Sequence, residues 1–267
     1  MAVPGWMEKA FYAISDFLFE KLPRPAPTPA QLKTTRLISH RGSYDNHRVY
    51  ENTLAAFDRV MATGIWGIEF DLRWTADRQP VVFHDADLTR LFAEKTSIGG
   101  LSLKAVKARF PMIPTLAEVI QRYGGRMHLM VEIKPHVLPG RHLNEVLSEL
   151  FSPLQPVTDF HLLSLSPQLF SAVTALPREA MIPIAETNAS AVSDLVLQKG
   201  YGGMAGHYLL IQNAALKKLT RHHLPVGTGF INSRNCLHRE ITRGVTWLFS
   251  DRAIELQRLI SVPRSVK

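Results

Sequence analysis

Short apolar, β-branched runs alternate with longer segments of helical periodicity along most of the chain. Strands that alternate with helices form βα units around a parallel sheet. Eight such units favour a TIM (β/α)8 barrel of the α/β class, with the active site at the C-terminal ends of the strands. The predicted strands are Arg36–Ser39, Gly67–Asp71, Met127–Ile133, Phe160–Leu165, Met181–Glu186, Gly203–His207, Pro225–Phe230 and Val245–Phe249.

The chain before the predicted barrel has a different pattern. Apolar residues at helical spacing predict an amphipathic helix, and a proline-rich spacer follows it, so residues 1–33 are predicted to precede a barrel domain of residues 34–267. Two interpretations of the helix remain open: it packs its apolar stripe on the barrel and closes the bottom, or it anchors the protein peripherally on a membrane. The stripe consists of Phe11, Ile14, Phe17, Leu18 and Leu22.

Composition narrows the function classes only in part. The 267 residues carry a formal charge of +8, which attracts anions of any kind, but no run of five basic residues favours nucleic acid as a partner. The lone Cys236 excludes an internal disulfide and a cysteine-based zinc site. Neither a secretory signal nor a membrane-spanning segment is predicted, so a cytoplasmic location, with membrane association left open, is expected.

Polar side chains end the first three predicted strands, and the carboxyl ends of parallel barrel strands meet at one mouth. The segment from Asp71 to His84 is too short for a parallel crossover, so a hairpin with a turn at Asp77-Arg78 is predicted. This turn would place His84 directly opposite Asp71, on the same face of the sheet. The candidate site residues are His40, Arg41, Glu69, Asp71, His84, Glu132 and Lys134.

The three carboxylates of this set suit a metal. Oxygen ligands from Glu69, Asp71 and Glu132 would hold a hard divalent cation, Mg²⁺ or Ca²⁺, better than zinc. Without a cation, three carboxylates at one mouth would repel one another and raise each other's pKa. One divalent cation is therefore predicted as a cofactor.

The remaining four residues suit phosphate chemistry. Arg41 and Lys134 can bind a phosphate group. His40 and His84 can supply a proton acceptor and a proton donor near neutral pH. Together with a divalent cation, these groups indicate cleavage of a phosphoester with general acid–base assistance.

Six short motifs follow one another along the chain. They are His40-Arg41-Gly42, Glu51-Asn52-Thr53, Ile68-Glu69-Phe70-Asp71, Thr75-Ala76-Asp77 leading to Val81-Val82-Phe83-His84-Asp85, Ile113-Pro114-Thr115-Leu116 and Glu132-Ile133-Lys134. In this order they resemble the glycerophosphodiester phosphodiesterases, from about Arg36 to Asp251. The short segment between the second histidine and Ile113 is similar to that of small bacterial members.

The resemblance implies a TIM barrel that hydrolyses glycerophosphodiesters, with Mg²⁺ or Ca²⁺, to glycerol 3-phosphate and an alcohol. Position by position, it implies that His40 and His84 are the acid–base pair and that Arg41 and Lys134 contact the phosphate. The metal ligands that it implies are Glu69, Asp71 and Glu132.

Two alternatives remain open. One is a lysophospholipase D that acts on lysophospholipids, and the other is a non-catalytic phospholipid-binding barrel. Gly227 stands where family members with a Val-Trp-Thr-like motif keep a tryptophan, and the missing indole is expected to remove a wall of the site and leave room for an acyl chain. Glu51 is expected to belong to a helix start capped by Asn52 or Thr53, and Asp251 is given no catalytic role.

Overall fold

Eight parallel strands close into a barrel in the computed structural model of the protein, which describes residues 14–15, 17–135 and 140–260. The first strand, β1, pairs with both β2 and β11, which completes the ring. The predicted (β/α)8 fold is therefore confirmed. The barrel strands are β1 (Arg36–His40), β2 (Gly67–Trp74), β6 (His128–Ile133), β7 (Phe160–Ser164), β8 (Met181–Ala185), β9 (Met204–His207), β10 (Val226–Gly229) and β11 (Trp247–Ser250).

Helices surround this ring, and residues 14–15 and 17–21 form a further N-terminal helix, α1. The connection from β7 to β8 differs from the prediction, because the described residues there form two 3₁₀ segments, Pro167–Ala172 and Arg178–Ala180, instead of an α-helix. The other helices are α2 (Pro29–Thr34), α3 (Leu54–Met61), α4 (Thr89–Phe92), α5 (Leu103–Arg109), α6 (Leu116–Tyr123), α7 (Gly140–Phe151), α8 (Ala189–Lys199), α9 (Asn213–Arg221), α10 (Arg234–Arg243) and α11 (Ala253–Ile260).

Two apolar layers hold the barrel together. Strand residues that point outwards pack under the helices, and those that point inwards fill the barrel, so most strands are buried on both faces. This double burial explains why the strands appear in the sequence as nearly continuous apolar runs. The inward layer contains Ile38, Met130, Leu163, Ile182, Ala205, Trp247 and Phe249.

A short insertion follows β2. The antiparallel strand β3 (Pro80–Val82) pairs with β2, and β4 (Asp87–Leu88) pairs with β5 (Glu94–Ser97) in a separate two-stranded sheet. This small sheet and α5 enclose an apolar cluster of their own, which includes Phe83.

The hairpin register differs from the prediction by one residue. Leu72 pairs with Val82, and Phe83 N–H donates to the Asp71 carbonyl, so Phe83 lies opposite Asp71 and the predicted pairing with His84 is wrong. The cause is a longer turn, in which Arg78 takes a left-handed φ of 62°. His84 reaches the mouth because the strand ends at Val82 and the chain continues as a loop.

Helix α1 packs beside the mouth and turns its apolar stripe outwards. Phe19, which is outside the predicted stripe, contacts Tyr208 after β9, and Asn235 in the first turn of α10 donates to the Glu20 carbonyl. Both partners lie at the carboxyl ends of strands, so the expectation that the stripe packs on the barrel and closes the bottom is wrong. Phe11 lies outside the described residues. The helices in the described part of the chain are all too short or too polar to cross a membrane.

Part of the predicted spacer is helical. Thr28 caps α2, and its side chain and that of Gln31 each accept a hydrogen bond from the other's backbone N–H. The domain boundary between residues 33 and 34 stays a prediction.

Two buried histidines lie at the bottom of the barrel. His128 Nδ1 donates to the Thr158 carbonyl at 2.9 Å, which leaves His128 Nε2 to accept from His161 Nδ1 at 2.8 Å. The Trp66 ring stacks on His128, and Trp247 contacts His161 edge-on. Burial lowers the pKa of His128 to about 4 and that of His161 to about 3. Both side chains are therefore neutral at pH 7.

We expect the free energy of unfolding to fall by about 1 to 2 kcal/mol per buried histidine between pH 7 and pH 5. Histidines in the unfolded chain protonate near pH 6.5, whereas His128 and His161 stay neutral until the pH approaches their lowered pKa values. Denaturant unfolding at both pH values checks this. The His161→Phe variant should lose part of the pH dependence, and the exposed control His222→Gln should keep it. Equal pH dependence in wild type and His161→Phe would contradict the prediction.

Candidate active site

The first motif makes a sharp turn at the mouth. His40 ends β1, and Arg41 and Gly42 follow with left-handed φ values of 58° and 85°. A Cβ on Gly42 would lie 2.7 Å from the Ala56 Cβ, so only glycine lets this turn approach α3 so closely. Arg41 N–H donates to the Glu69 carbonyl, which ties the turn to β2.

Three buried carboxylates converge beside this turn. Glu69 and Asp71 lie two residues apart on β2, and Glu132 pairs in register with Asp71 from β6. One oxygen of each lies within 4.8 Å of the others. Asn52 fixes one member of the set, because its Nδ2 donates to Asp71 Oδ2 at 2.8 Å. The structure thus brings the three predicted metal ligands together.

Two basic side chains neutralise the central carboxylate. Lys134 Nζ lies 2.8 Å from Asp71 Oδ1 and 2.6 Å from Glu132 Oε1, and Arg41 Nε lies 3.1 Å from Asp71 Oδ2. Burial opposes ionisation of Asp71, but the charges of Lys134 and Arg41 lower its pKa. Burial and the neighbouring carboxylates raise the pKa of Glu69. The cluster thus holds more negative charge than its own basic groups balance.

The donor set fits a divalent cation. Glu69 Oε2 is buried and accepts no hydrogen bond from the described residues, and the His40 ring is its nearest polar partner there, with Nε2 at 3.7 Å. A buried carboxylate oxygen without a donor is costly unless a ligand satisfies it. Carboxylate oxygens are the ligands that Mg²⁺ and Ca²⁺ prefer. Glu69, Asp71 and Glu132 could therefore hold such an ion.

His40 is oriented by a carboxylate at the end of the last strand. Its Nδ1 lies 2.7 Å from Asp251 Oδ1, and Asn232 Nδ2 and the Tyr44 hydroxyl also donate to Asp251. An Nδ1–H that donates to Asp251 leaves His40 Nε2 as the atom that faces the carboxylates, where it lies 3.7 Å from Glu69. Asp251 therefore positions His40.

His84 is oriented in the same way. The Nδ1 of His84 lies 2.6 Å from Asp85 Oδ1, and Arg73 Nε donates to the carbonyl oxygen of His84 at 2.7 Å. Arg90 joins Asp85 to Glu51, whose carboxylate also accepts from Arg41. Burial and the nearby cations lower the pKa of His84. Both histidines therefore present Nε2, each backed by an aspartate.

The second motif leads into α3, as expected, and it also contacts the site. Thr53 caps α3, and its hydroxyl accepts from the Ala56 N–H. Glu51 binds two arginines. Burial acts to raise the pKa of its carboxyl, but the contacts with Arg90 and Arg41 lower that pKa to about 2. Glu51 is thus a permanent counter-charge that holds Arg41.

A cavity of about 430 Å³ opens in front of these groups. One wall carries the polar residues, including both histidines and Lys134. The facing wall is mainly apolar and is formed by Leu163, Leu165, Ile184, Ala185, Ala205, Leu210, Phe230 and Phe249.

The expected gap at Gly227 is filled. A Cβ at this position would lie 2.7 Å from Phe249 Cε2, so the aromatic ring of β11 occupies the space above the glycine. Phe249 also lines the cavity. The expectation that a wall is missing is therefore wrong: the neighbouring strand supplies it.

Comparison with known proteins identifies the family of the chain. The sequence pattern of the glycerophosphoryl diester phosphodiesterase family matches residues 40–254, which include every candidate site residue. The chain belongs to this family.

Curated relatives support the assignment over part of their length. A glycerophosphodiester phosphodiesterase of Caldanaerobacter subterraneus subsp. tengcongensis is 36% identical over 120 residues, which is 40% of this chain and 49% of the relative. A lysophospholipase D of Rattus norvegicus is 35% identical over 91 residues, which is 34% of this chain and 28% of the relative. The chain spans about half the length of the first curated relatives it matches.

Solved structures show the same fold. A phosphodiesterase of Oleispira antarctica, solved in complex with the product sn-glycerol-3-phosphate, superposes with a TM-score of 0.73 at 24% identity, over 85% of this chain and 97% of that one. A glycerophosphodiester phosphodiesterase of Thermotoga maritima gives 0.71 at 21% identity, over 84% and 98%.

Three residues that the sequence analysis did not place in the site belong to it. Asp251 and Asp85 orient the histidines, and Asn52 orients Asp71. Asp85 directly follows His84 in the motif, and this adjacency could have identified it as a partner of the histidine. Barrel closure was the signal for Asp251, because the last strand must lie beside the first and both end at the mouth.

Proposed function

We propose that this family member hydrolyses glycerophosphodiesters to glycerol 3-phosphate and an alcohol. The observation that carries the proposal is the meeting of two aspartate-backed histidines with three buried carboxylates in one cavity. Paired histidines suit the two proton transfers of ester cleavage, and the carboxylates suit a cation that binds a phosphate.

His40 and His84 are assigned the proton transfers. One Nε2 takes the proton of the attacking hydroxyl, which belongs to water or to the glycerol 2-position, as a new oxygen–phosphorus bond forms. The other Nε2 gives a proton to the alkoxide that leaves as the ester bond to the alcohol breaks. When water attacks, this step gives glycerol 3-phosphate directly; when the glycerol 2-hydroxyl attacks, it gives a cyclic phosphodiester, which water then opens to glycerol 3-phosphate. Arg41 and Lys134 are assigned the phosphate oxygens, since both are cationic donors that border the cavity.

A divalent cation, Mg²⁺ or Ca²⁺, would be held by Glu69, Asp71 and Glu132. It would supply positive charge for a phosphoryl oxygen and a lower pKa for the attacking hydroxyl. The three carboxylates are buried and their oxygens lie close together, and charge interactions are stronger in a buried site than in water. The cytoplasmic location expected from the sequence stays a prediction.

Release of glycerol 3-phosphate from glycerophosphocholine and glycerophosphoethanolamine tests the proposal. We expect product in the presence of Mg²⁺ or Ca²⁺ and none after treatment with a chelator, because the carboxylates need the cation to act on phosphate. Readdition of the metal should restore the rate. Folded protein that releases no product with either metal would contradict the proposed activity.

A second candidate activity has its own observation. The apolar wall opposite the histidines could take an acyl chain, as a lysophospholipase D requires. Lysophosphatidylcholine and glycerophosphocholine differ only in that chain. A higher kcat/KM for lysophosphatidylcholine, with lysophosphatidic acid and choline as products, would favour the lysophospholipase D. A higher value for glycerophosphocholine would favour the first proposal.

A further inference from the structure

The outward face of α1 is an exposed apolar stripe. Ile14 is 61% exposed, Phe17 59%, Leu18 53% and Leu22 49%. Spacings of three and four residues place these side chains on one side of the helix. Contiguous large apolar side chains in water usually mark a binding surface.

The opposite face of α1 fixes this orientation. Phe19 packs edge-on against Tyr208, with ring centroids 5.3 Å apart, and the Arg239 guanidinium lies 4.9 Å from the Phe19 ring centre. Asn235 Nδ2 donates to the Glu20 carbonyl at 2.6 Å. A helix held by one face keeps the other face turned away from the barrel, so the stripe is presented to the surroundings.

The stripe lies near the catalytic mouth. Tyr208 contacts the ring of His207, which lines the cavity, and His207 lies 6.0 Å from the Phe230 ring. Phe230 in turn contacts His40 with ring centroids 4.8 Å apart. A short series of rings therefore connects α1 to the site, and Phe230, which is 36% exposed, continues the apolar surface at the rim.

Basic residues border the stripe. Lys21 is exposed, with its Nζ 5.6 Å from the centre of the Phe17 ring, and Arg24 is exposed just after the helix. Glu20 lies 4.0 Å from Lys21 Nζ, and the sequence carries a second acid, Asp16, in the same stretch. A helix with an apolar face and cations at its edge is typical of segments that lie in the headgroup region of a bilayer. The cations complement the negative charge of anionic lipid.

We propose that α1 docks the protein on an anionic phospholipid surface with the mouth of the barrel beside the lipid. The choice of a lipid surface rests on the proposed function, because glycerophosphodiesters and lysophospholipids both derive from phospholipids. The contacts of Phe19, the exposed stripe and the two cations support the proposal independently of the reaction. A second copy of the chain is the competing occupant of the stripe.

Sedimentation with vesicles tests the docking. The full chain should bind vesicles of phosphatidylcholine with phosphatidylglycerol, and the Phe17→Ser/Leu18→Ser variant should lower the partition coefficient about tenfold or more. Leu259→Ser is the matched control, because Leu259 is 45% exposed in the last turn of α11, which runs away from the mouth. It should bind like the wild type. Lys21→Gln/Arg24→Gln should weaken binding to anionic vesicles and leave binding to pure phosphatidylcholine unchanged.

Two results would overturn the docking proposal. One is the absence of a stripe-dependent interaction, seen as a wild type that does not sediment with vesicles or as a stripe variant that binds vesicles as well as the wild type does. The other is a dimer, seen by light scattering, that the stripe variant dissociates, since a second copy would then cover the face. Release of glycerol 3-phosphate from soluble glycerophosphocholine is measured for every variant and should not change. A wild type that binds vesicles but fails this assay would support the docking and contradict the proposed activity.

Discussion

Substitution of His40 or His84 by alanine should lower kcat by about 10²- to 10⁴-fold, the range that general acid–base catalysis contributes. Each Nδ1 is held by an aspartate, which leaves Nε2 of each ring for the proton transfer assigned to it, and alanine removes that group. Steady-state hydrolysis of glycerophosphocholine in saturating metal measures the loss. The Asp251→Asn variant, which keeps His40 but loses the charge that orients it, should fall between wild type and His40→Ala.

A substrate with a p-nitrophenolate leaving group separates the two roles. This group leaves as a stable anion and needs no proton. The variant that lacks the general acid should therefore recover most of the lost kcat on this substrate, and the variant that lacks the general base should not. The two histidines are thereby assigned. Equal recovery of both variants, or losses below about tenfold on glycerophosphocholine, would contradict the division of proton transfers between them.

The Glu69→Gln variant should keep or gain stability and lose its response to metal. Among the described residues nothing donates a hydrogen bond to Glu69 Oε2, and burial and the neighbouring carboxylates raise the pKa of Glu69. Lys134 and Arg41 are paired with other carboxylates. Glutamine removes the repulsion and leaves those ion pairs in place. We expect a melting temperature without metal at least equal to that of the wild type, no increase on addition of Mg²⁺ or Ca²⁺, and activity at least about 100-fold lower, since even residues behind metal ligands cost 10- to 100-fold.

Glu186→Gln provides the control, because Glu186 lines the same cavity but is exposed and outside the carboxylate trio. Its melting temperature should rise with metal as in the wild type. A metal response that survives in Glu69→Gln would show that the cation does not need this ligand. A strong loss of stability in Glu69→Gln without metal would contradict the argument from its unsatisfied oxygen.

The barrel could be predicted from the sequence because its strands are buried on both faces. Each such strand is a short apolar run, as at Phe160–Ser164, and parallel order follows from the helices between them. The site followed from the same argument. Glu69, Asp71 and Glu132 stand near the carboxyl ends of the strands predicted from the sequence, and the carboxyl ends of barrel strands share one mouth.

Features that depend on tertiary contacts were not predictable in the same way. The hairpin register depends on Arg78 in a left-handed conformation, which its residue type does not signal. Periodicity identifies the stripe of α1, but its direction is decided by the contact of Phe19 with Tyr208, which is distant in sequence. The same holds for Asp251 and His40, which are 211 residues apart.

Under the proposed function, the pairing of Lys134 and Arg41 with the carboxylates has a consequence for which phosphate esters the site would accommodate. With Glu69, Asp71 and Glu132 ionised, the three carboxylates with Arg41 and Lys134 carry one net negative charge, since Arg90 compensates the charge of Glu51, and the proposed divalent cation would change it to one positive charge. A phosphodiester carries a single negative charge and makes the buried site electrically neutral. A phosphomonoester carries close to two at neutral pH and leaves an uncompensated charge, which is costly away from water. Electroneutrality alone therefore favours entry of the diester and departure of the monoester.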